Sequence, residues 1–90
     1  MITIRKFKDH PSAQALIHEA DNGDKALVSY TTTVAYMVGG WLFVDGLYSA
    51  TTRKHLGWFM KELGLSYQIA KFIYEDWVAY NTRTGEIRPR

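Results

Sequence analysis

The run Thr51-Thr52-Arg53-Lys54-His55 sets two hydroxyls, two cations and a titratable imidazole in consecutive positions. If it opens a helix, the free N–H groups and partial positive charge of that terminus would join the Thr hydroxyls and the Arg53 guanidinium around a phosphate or a partner's carboxylate. The plainer reading is that Arg53 and Lys54 oppose the helix dipole at small cost and extend into solvent. Trp58 follows, flanked by Lys54 and Lys61 and nearly opposite the apolar stripe of the same helix. An indole there can anchor a protein interface, stack a nucleobase, or lie under a later helix or a tail folding back through Ile87.

Other chemistry is poorly supplied. His10, His18 and His55 are far apart, and the chain has no cysteine, so neither transition-metal spacing nor a thiolate nucleophile is present. Asp21-Asn22-Gly23-Asp24 resembles the start of a calcium loop but lacks its remaining oxygen ligands and closing Glu, so a turn accounts for it better. Gly39-Gly40 has no phosphate-cradle context. Ser49, His55 and Asp45 could supply nucleophile, base and orienting acid, yet no nucleophile elbow or paired carboxylates accompany them. We therefore expect no enzyme, no cofactor and no bound metal.

The elements that must position these residues come from periodicity. Ile2 and Ile4 share one face of a short N-terminal strand. Ala13, Leu16, Ile17 and Ala20 recur at helical spacing after Pro11, predicting a short helix over 11–20 that stops at Asp21-Asn22-Gly23-Asp24. Residues 26–38 alternate as one long strand, and Gly39-Gly40 predicts a tight hairpin into Trp41–Tyr48. In that register Val38 faces Trp41 and Tyr36 faces Phe43, while Met37/Leu42 and Ala35/Val44 line the opposite face. Both faces are apolar near the turn. One can be covered by this chain's helices, and the other needs a second intramolecular layer or another chain. Thr51-Thr52 caps a helix over 51–63 with the stripe Leu56, Phe59, Met60 and Leu63, ending at Gly64. Ser66 opens a last helix carrying Ile69, Ala70, Ile73, Trp77 and Tyr80.

These elements predict an α+β fold, a small antiparallel sheet of the N-terminal strand and the Gly-Gly hairpin backed by helices, in the order β-α-β-β-α-α. Ninety residues with 47% hydrophobic composition can enclose one core but not two. We expect one domain over 1–80 and a loosely ordered basic tail over 81–90. A net charge of +2 does not call for nucleic acid as an obligate partner. With no long apolar run and no secretory leader pattern, we expect a soluble cytoplasmic chain that does not enter membranes.

Ser29-Tyr30-Thr31-Thr32-Thr33-Val34-Ala35, followed by Gly46-Leu47-Tyr48-Ser49-Ala50-Thr51-Thr52-Arg53-Lys54-His55 and then Phe59, resembles a family of short uncharacterised proteins from phages and Gram-positive bacteria. Their shared pattern reads S-Y-x-T-x-V-A, then G-x-Y-S-x-T-T-x-[RK]-H-x-x-x-F. The match spans about residues 3–63, and the segment from Ser66 onward lies beyond it. The resemblance implies a compact strand-hairpin-helix unit in a phage or mobile-element setting and assigns no activity.

The resulting expectation is a non-enzymatic protein that binds a protein partner, with inhibition of a host defence or nuclease complex as one role the phage-like resemblance allows. Trp58, Arg53, Lys54, Lys61 and His55 on the helix, and Met37, Trp41 and Leu42 on the hairpin, are the candidate contact residues. Self-association into a homodimer through the hairpin is a natural corollary. The alternative is a nucleic-acid-binding module using the basic, aromatic helix 51–63 and the arginines of the tail.

Overall fold

Runs of β-branched and aromatic residues separated by turn formers dictate a meander. A computed structural model, which describes residues 1–90, contains seven strands. They are β1 (Ile2–Arg5), β2 (Ala15–Ala20), β3 (Lys25–Ser29), β4 (Thr32–Val38), β5 (Trp41–Val44), β6 (Val78–Asn81) and β7 (Ile87–Pro89). All neighbours pair antiparallel, in the spatial order β1-β2-β3-β4-β5-β6-β7. Two helices, α1 (Ala50–Glu62) and α2 (Tyr67–Asp76), fall between β5 and β6 and pack on the sheet. The class is α+β, as the sequence predicts.

The Gly-Gly hairpin also forms as its residues dictate. Gly39 and Gly40 both have positive φ, 58° and 87°, which a two-residue turn requires and glycine supplies without strain. Val38 pairs with Trp41, Met37 with Leu42, Tyr36 with Phe43 and Ala35 with Val44.

Residues 11–20 are the clearest departure. Instead of a helix, Ala15–Ala20 is strand β2, with Ala15 and Ile17 buried. The spacing of Ala13, Leu16, Ile17 and Ala20 fits a helix, but Leu16 and Ile17 are equally adjacent residues on opposite faces of a pleated strand. Asp21-Asn22-Gly23-Asp24 is a turn as expected, but it closes a hairpin: the Ala20 N–H donates to Asp24 O and the Asp24 N–H to Asn22 Oδ1.

The long strand expected over 26–38 is two strands. Tyr30, at φ 57°, turns the chain back without a glycine or asparagine to signal it, and a bulge between Leu27 and Val28 re-aims β3 against β4. The final helix is shorter than expected. Its last cap is Trp77 in the left-handed region, and the chain then re-enters the sheet as β6. The last ten residues are likewise no loose tail. Asn81 Oδ1 accepts from the Arg83 and Thr84 N–H groups, Gly85 has φ 78°, and β7 pairs with β6.

α1 is capped by Ser49, whose Oγ accepts from the Thr52 N–H; Thr51 and Thr52 lie inside the helix. At the other end the Gly64 N–H bonds Lys61 O and the Leu65 N–H bonds Met60 O, the pairing of a Schellman terminus with glycine in the left-handed position. The core lies between helices and sheet, where Phe59, Leu56, Met60 and Ile73 meet Ile17, Leu27, Leu42 and Val44. No helix is long and apolar enough to cross a membrane.

Candidate functional site

Residues from both strings of the resemblance meet at one buried point. Ser29, at the end of β3, lies 2.8 Å from His55 Nδ1 and 3.2 Å from Thr52 Oγ1. Ser49 Oγ donates to Thr52 Oγ1 at 3.2 Å and accepts the Thr52 N–H at 3.1 Å. One directed chain gives every hydroxyl proton an acceptor: Thr52 N–H to Ser49, Ser49 to Thr52 Oγ1, Thr52 to Ser29, and Ser29 to His55 Nδ1. That direction requires neutral His55 with its proton on Nε2. Burial, then the Lys54 charge, then His10, push the His55 pKa below its ordinary 6.5, which favours the same neutral form.

A Ser–His contact of this length suits nucleophilic catalysis, but Ser29 and His55 are each only 2% exposed. The rings of Tyr30 and Trp58 pack beside the imidazole. The network therefore pins the first turn of α1 to the end of β3. The other apolar residues of the strings also pack: Val34, Ala35 and Phe59 are in the core, and a Cβ at Gly46 would run into the Tyr48 ring.

Trp58 is half-buried, and its cover comes from the β1–β2 connection, not from α2 or the chain end. His10 stacks on the indole at 3.6 Å with the planes 4° apart, and Phe7 meets it edge-on at 5.6 Å. A cleft of about 560 Å³ opens beside this stack, lined by Arg5, Lys8, His10, Trp58, Lys61 and Glu62 among others. Arg5 is committed to Glu62 and Glu19. The Glu62 hydrogen bond raises the Arg5 pKa against the opposing effect of burial. The exposed face of the indole is thus already taken by an imidazole.

A second groove, about 640 Å³, runs between α1 and α2 and is lined by Arg53, Lys54, Gly57, Tyr67, Gln68 and Lys71, with Glu75 at its side. Arg53, Lys54 and Lys71 form no ion pair.

The sheet face away from the helices carries a row of apolar residues that no helix covers. Strand pairing sets Ile4, His18, Ala26, Tyr36 and Phe43 side by side across five strands, and Val38 beside Trp41. Tyr36 stacks on Phe43 at 4.9 Å. At the β7 side, Arg88 lies 4.1 Å from the Trp41 ring centre, and Arg90 lies over Trp77 at 3.8 Å and Phe43 at 5.5 Å. Arg90 also donates to Asp45 at 2.6 Å and to the Val44 carbonyl. Val38 and Trp77 remain 52% and 53% exposed.

The eight candidate contact residues therefore separate. Leu42 is fully enclosed on the helix-covered face and His55 is enclosed in the polar network, so neither can touch a partner. The docking of the first turns of α1 onto the end of β3 encloses His55, and helix packing on the Met37/Leu42 side of the hairpin encloses Leu42. Met37 is half-buried there, its sulfur accepting from Thr82 Oγ1. Trp41 lies on the open face. Arg53, Lys54 and Lys61 are exposed, the first two on the α1–α2 groove and the third on the Trp58 cleft. The sequence reading missed His10 as the cover of Trp58 and Ser29 as the partner of His55. Nothing in local spacing links residues 45 or more positions apart in the first case, or across two elements in the second.

The fold and its surfaces define a two-layer α+β domain with one sheet face packed and one open. The chain belongs to a family of unknown function, DUF8033, whose model matches residues 8–78. No curated protein and no solved structure matches the chain.

Proposed function

We propose that this chain is a non-enzymatic protein that works by docking its open sheet face onto a protein partner. The observation that carries the reading is the row of exposed Val38 and half-buried Tyr36, Trp41 and Phe43 on a sheet face that no helix covers, the other face being already packed. The enclosure of Ser29 and His55 supports it from the other side, because the one nucleophile–base contact has no access for a substrate. The sequence resemblance adds a setting: a phage or Gram-positive bacterial protein acting in the host cytoplasm, with a defence or nuclease complex as the target it would block.

The test is capture from extracts of the natural host with the wild-type chain and with Val38→Glu. A partner held by the wild type and lost by the variant is the expected result. A partner held equally by both would move the docking site off this face.

Nucleic-acid binding keeps one supporting observation, the unpaired Arg53, Lys54 and Lys71 along the α1–α2 groove. The tail adds little to it, since Arg90 is held by Asp45 and Arg88 stacks on Trp41. Retention on DNA or RNA at low salt that falls steeply as salt rises would favour this second reading.

A further inference from the structure

Resting on the docking reading above, we propose that the partner of the open sheet face is a second copy of this chain, packed face to face across a two-fold axis near Tyr36. Three observations select this occupant.

The first is area. Seven strands of three to seven residues, at about 3.3 Å per residue and about 4.8 Å apart, make a footprint of about 500 Å². Two such faces would bury about 1,000 Å² in total, within the size range of weak, reversible complexes, which lies below about 1,200 Å². That size suits a reversible dimer rather than a permanent one.

The second is charge. The cations on this face already have internal partners: Arg90 has Asp45 and two aromatic rings, and Arg88 has Glu86 at 3.8 Å and Trp41. His18, on β2, also lies on this face. A face so nearly neutral has little to hold a polyanion or a strongly acidic partner, whereas a like face brings no unbalanced charge against it.

The third is layout. β4 is the central strand of the seven, so an axis through Tyr36 sets Tyr36 and Phe43 of both copies near the centre, with Val38 two residues away at the hairpin end of β4. Arg88 and Arg90 on β7 then fall at the rim, giving an apolar centre with charge at its margin. An open sheet face presents a surface that another sheet can cover at about 10 Å, as in a β-sandwich.

The chain contains no cysteine, which makes the test direct. Sedimentation of the full chain should show the mass rising with concentration from 10.4 kDa toward twice that value. Val38→Glu should raise the dissociation constant by about 30-fold or more, because it sets an unpaired charge against the apposed copy beside Tyr36. Val38 is half-exposed in one copy, so circular dichroism of the variant should match the wild type. Phe72→Glu, on exposed α2, should leave association unchanged. As a second measurement, Tyr36→Cys should form a disulfide-linked dimer on mild oxidation much faster than Tyr48→Cys, which lies off the face. A monomer at every concentration, a dimer indifferent to Val38→Glu, or equal cross-linking of the two cysteine variants would overturn the proposal. A monomer whose host partner is still lost on Val38→Glu would overturn self-association alone and leave the docking reading standing.

Discussion

At the scale of single residues, the Ser29–His55 contact shows how polar groups chosen for chemistry can serve architecture. Ser29→Ala removes the donor to His55 and the acceptor for Thr52, leaving His55 Nδ1 without a partner and the Thr52 hydroxyl with only its bond from Ser49. We expect a loss of about 1–3 kcal/mol, read as a lower midpoint in urea unfolding. His55 adds a pH dependence with a definite sign. Its folded-state pKa lies below 6.5, so the unfolded chain binds the proton first as pH falls. The stability tied to neutral His55 is complete above about 6.5 and lost progressively below it. The same proton would turn Nδ1 into a donor and reverse the relay through Ser29. Thermal melts between pH 8 and pH 5 should show this decline, and His55→Gln, which cannot titrate, should show a shallower one. An identical decline in both proteins would remove His55 as the cause.

Residue types in the strings were legible as unusual, and their purpose was not. Ser49, Thr52 and His55 are close in sequence, but Ser29 reaches them only because β3 ends beneath the first turn of α1. Trp58 was legible as lying off the core stripe, and its stacking on His10 depends on where the β1–β2 connection lies.

At the scale of elements, the sequence spoke most clearly where glycine met a conformational need. Gly64 ends α1 at φ 77° with open space around the missing Cβ, so Gly64→Ala incurs backbone strain alone, about 1 kcal/mol of destabilisation. Gly57, inside the same helix and equally unobstructed, should respond with the opposite sign: Gly57→Ala gains about 0.5–1 kcal/mol. Paired thermal melts of the two variants check this, and a loss at both positions would contradict it.

Where left-handed backbone falls on Tyr30 and Trp77, the turns were hidden, because tertiary contacts hold what local preference would not choose. Hence one strand was read for two, and α2 was read through the bend at Trp77. The segment 11–20 failed for a different reason. Buried at Ala15 and Ile17 on one face and half-buried on the other, β2 shows neither clean alternation nor a helical stripe in its sequence, and only its pairing with β1 and β3 decides its state. The β6–β7 hairpin carries its own prediction. Removing residues 82–90 deletes β7, the Asp45–Arg90 pair and the cover on Phe43, so the truncated chain should unfold at clearly lower urea concentration. A tail that merely trails in solvent would leave the midpoint unchanged.

At the scale of the molecule, the short axis of 20 Å is the thickness of one sheet and one helix layer. That dimension and the hairpin register together explain why half of the hairpin residues are core and half are surface. The sequence showed that both sides of the hairpin are apolar; it could not show which side the helices take, because α1 and α2 are long-range neighbours of β3, β4 and β5. Once they settle on the Met37/Leu42 side, the Trp41/Tyr36/Phe43 side is left for contact.

The claim that this open face is where the protein works is tested most directly by hydroxyl-radical footprinting of Tyr36, Trp41 and Phe43, with Tyr48 as the reference, in dilute and in concentrated solution. The account predicts that the three react when the chain is dilute and lose reactivity as association proceeds, while Tyr48 stays constant. Reactivity of the three that does not change with concentration, or protection that appears at Tyr48 instead, would contradict it.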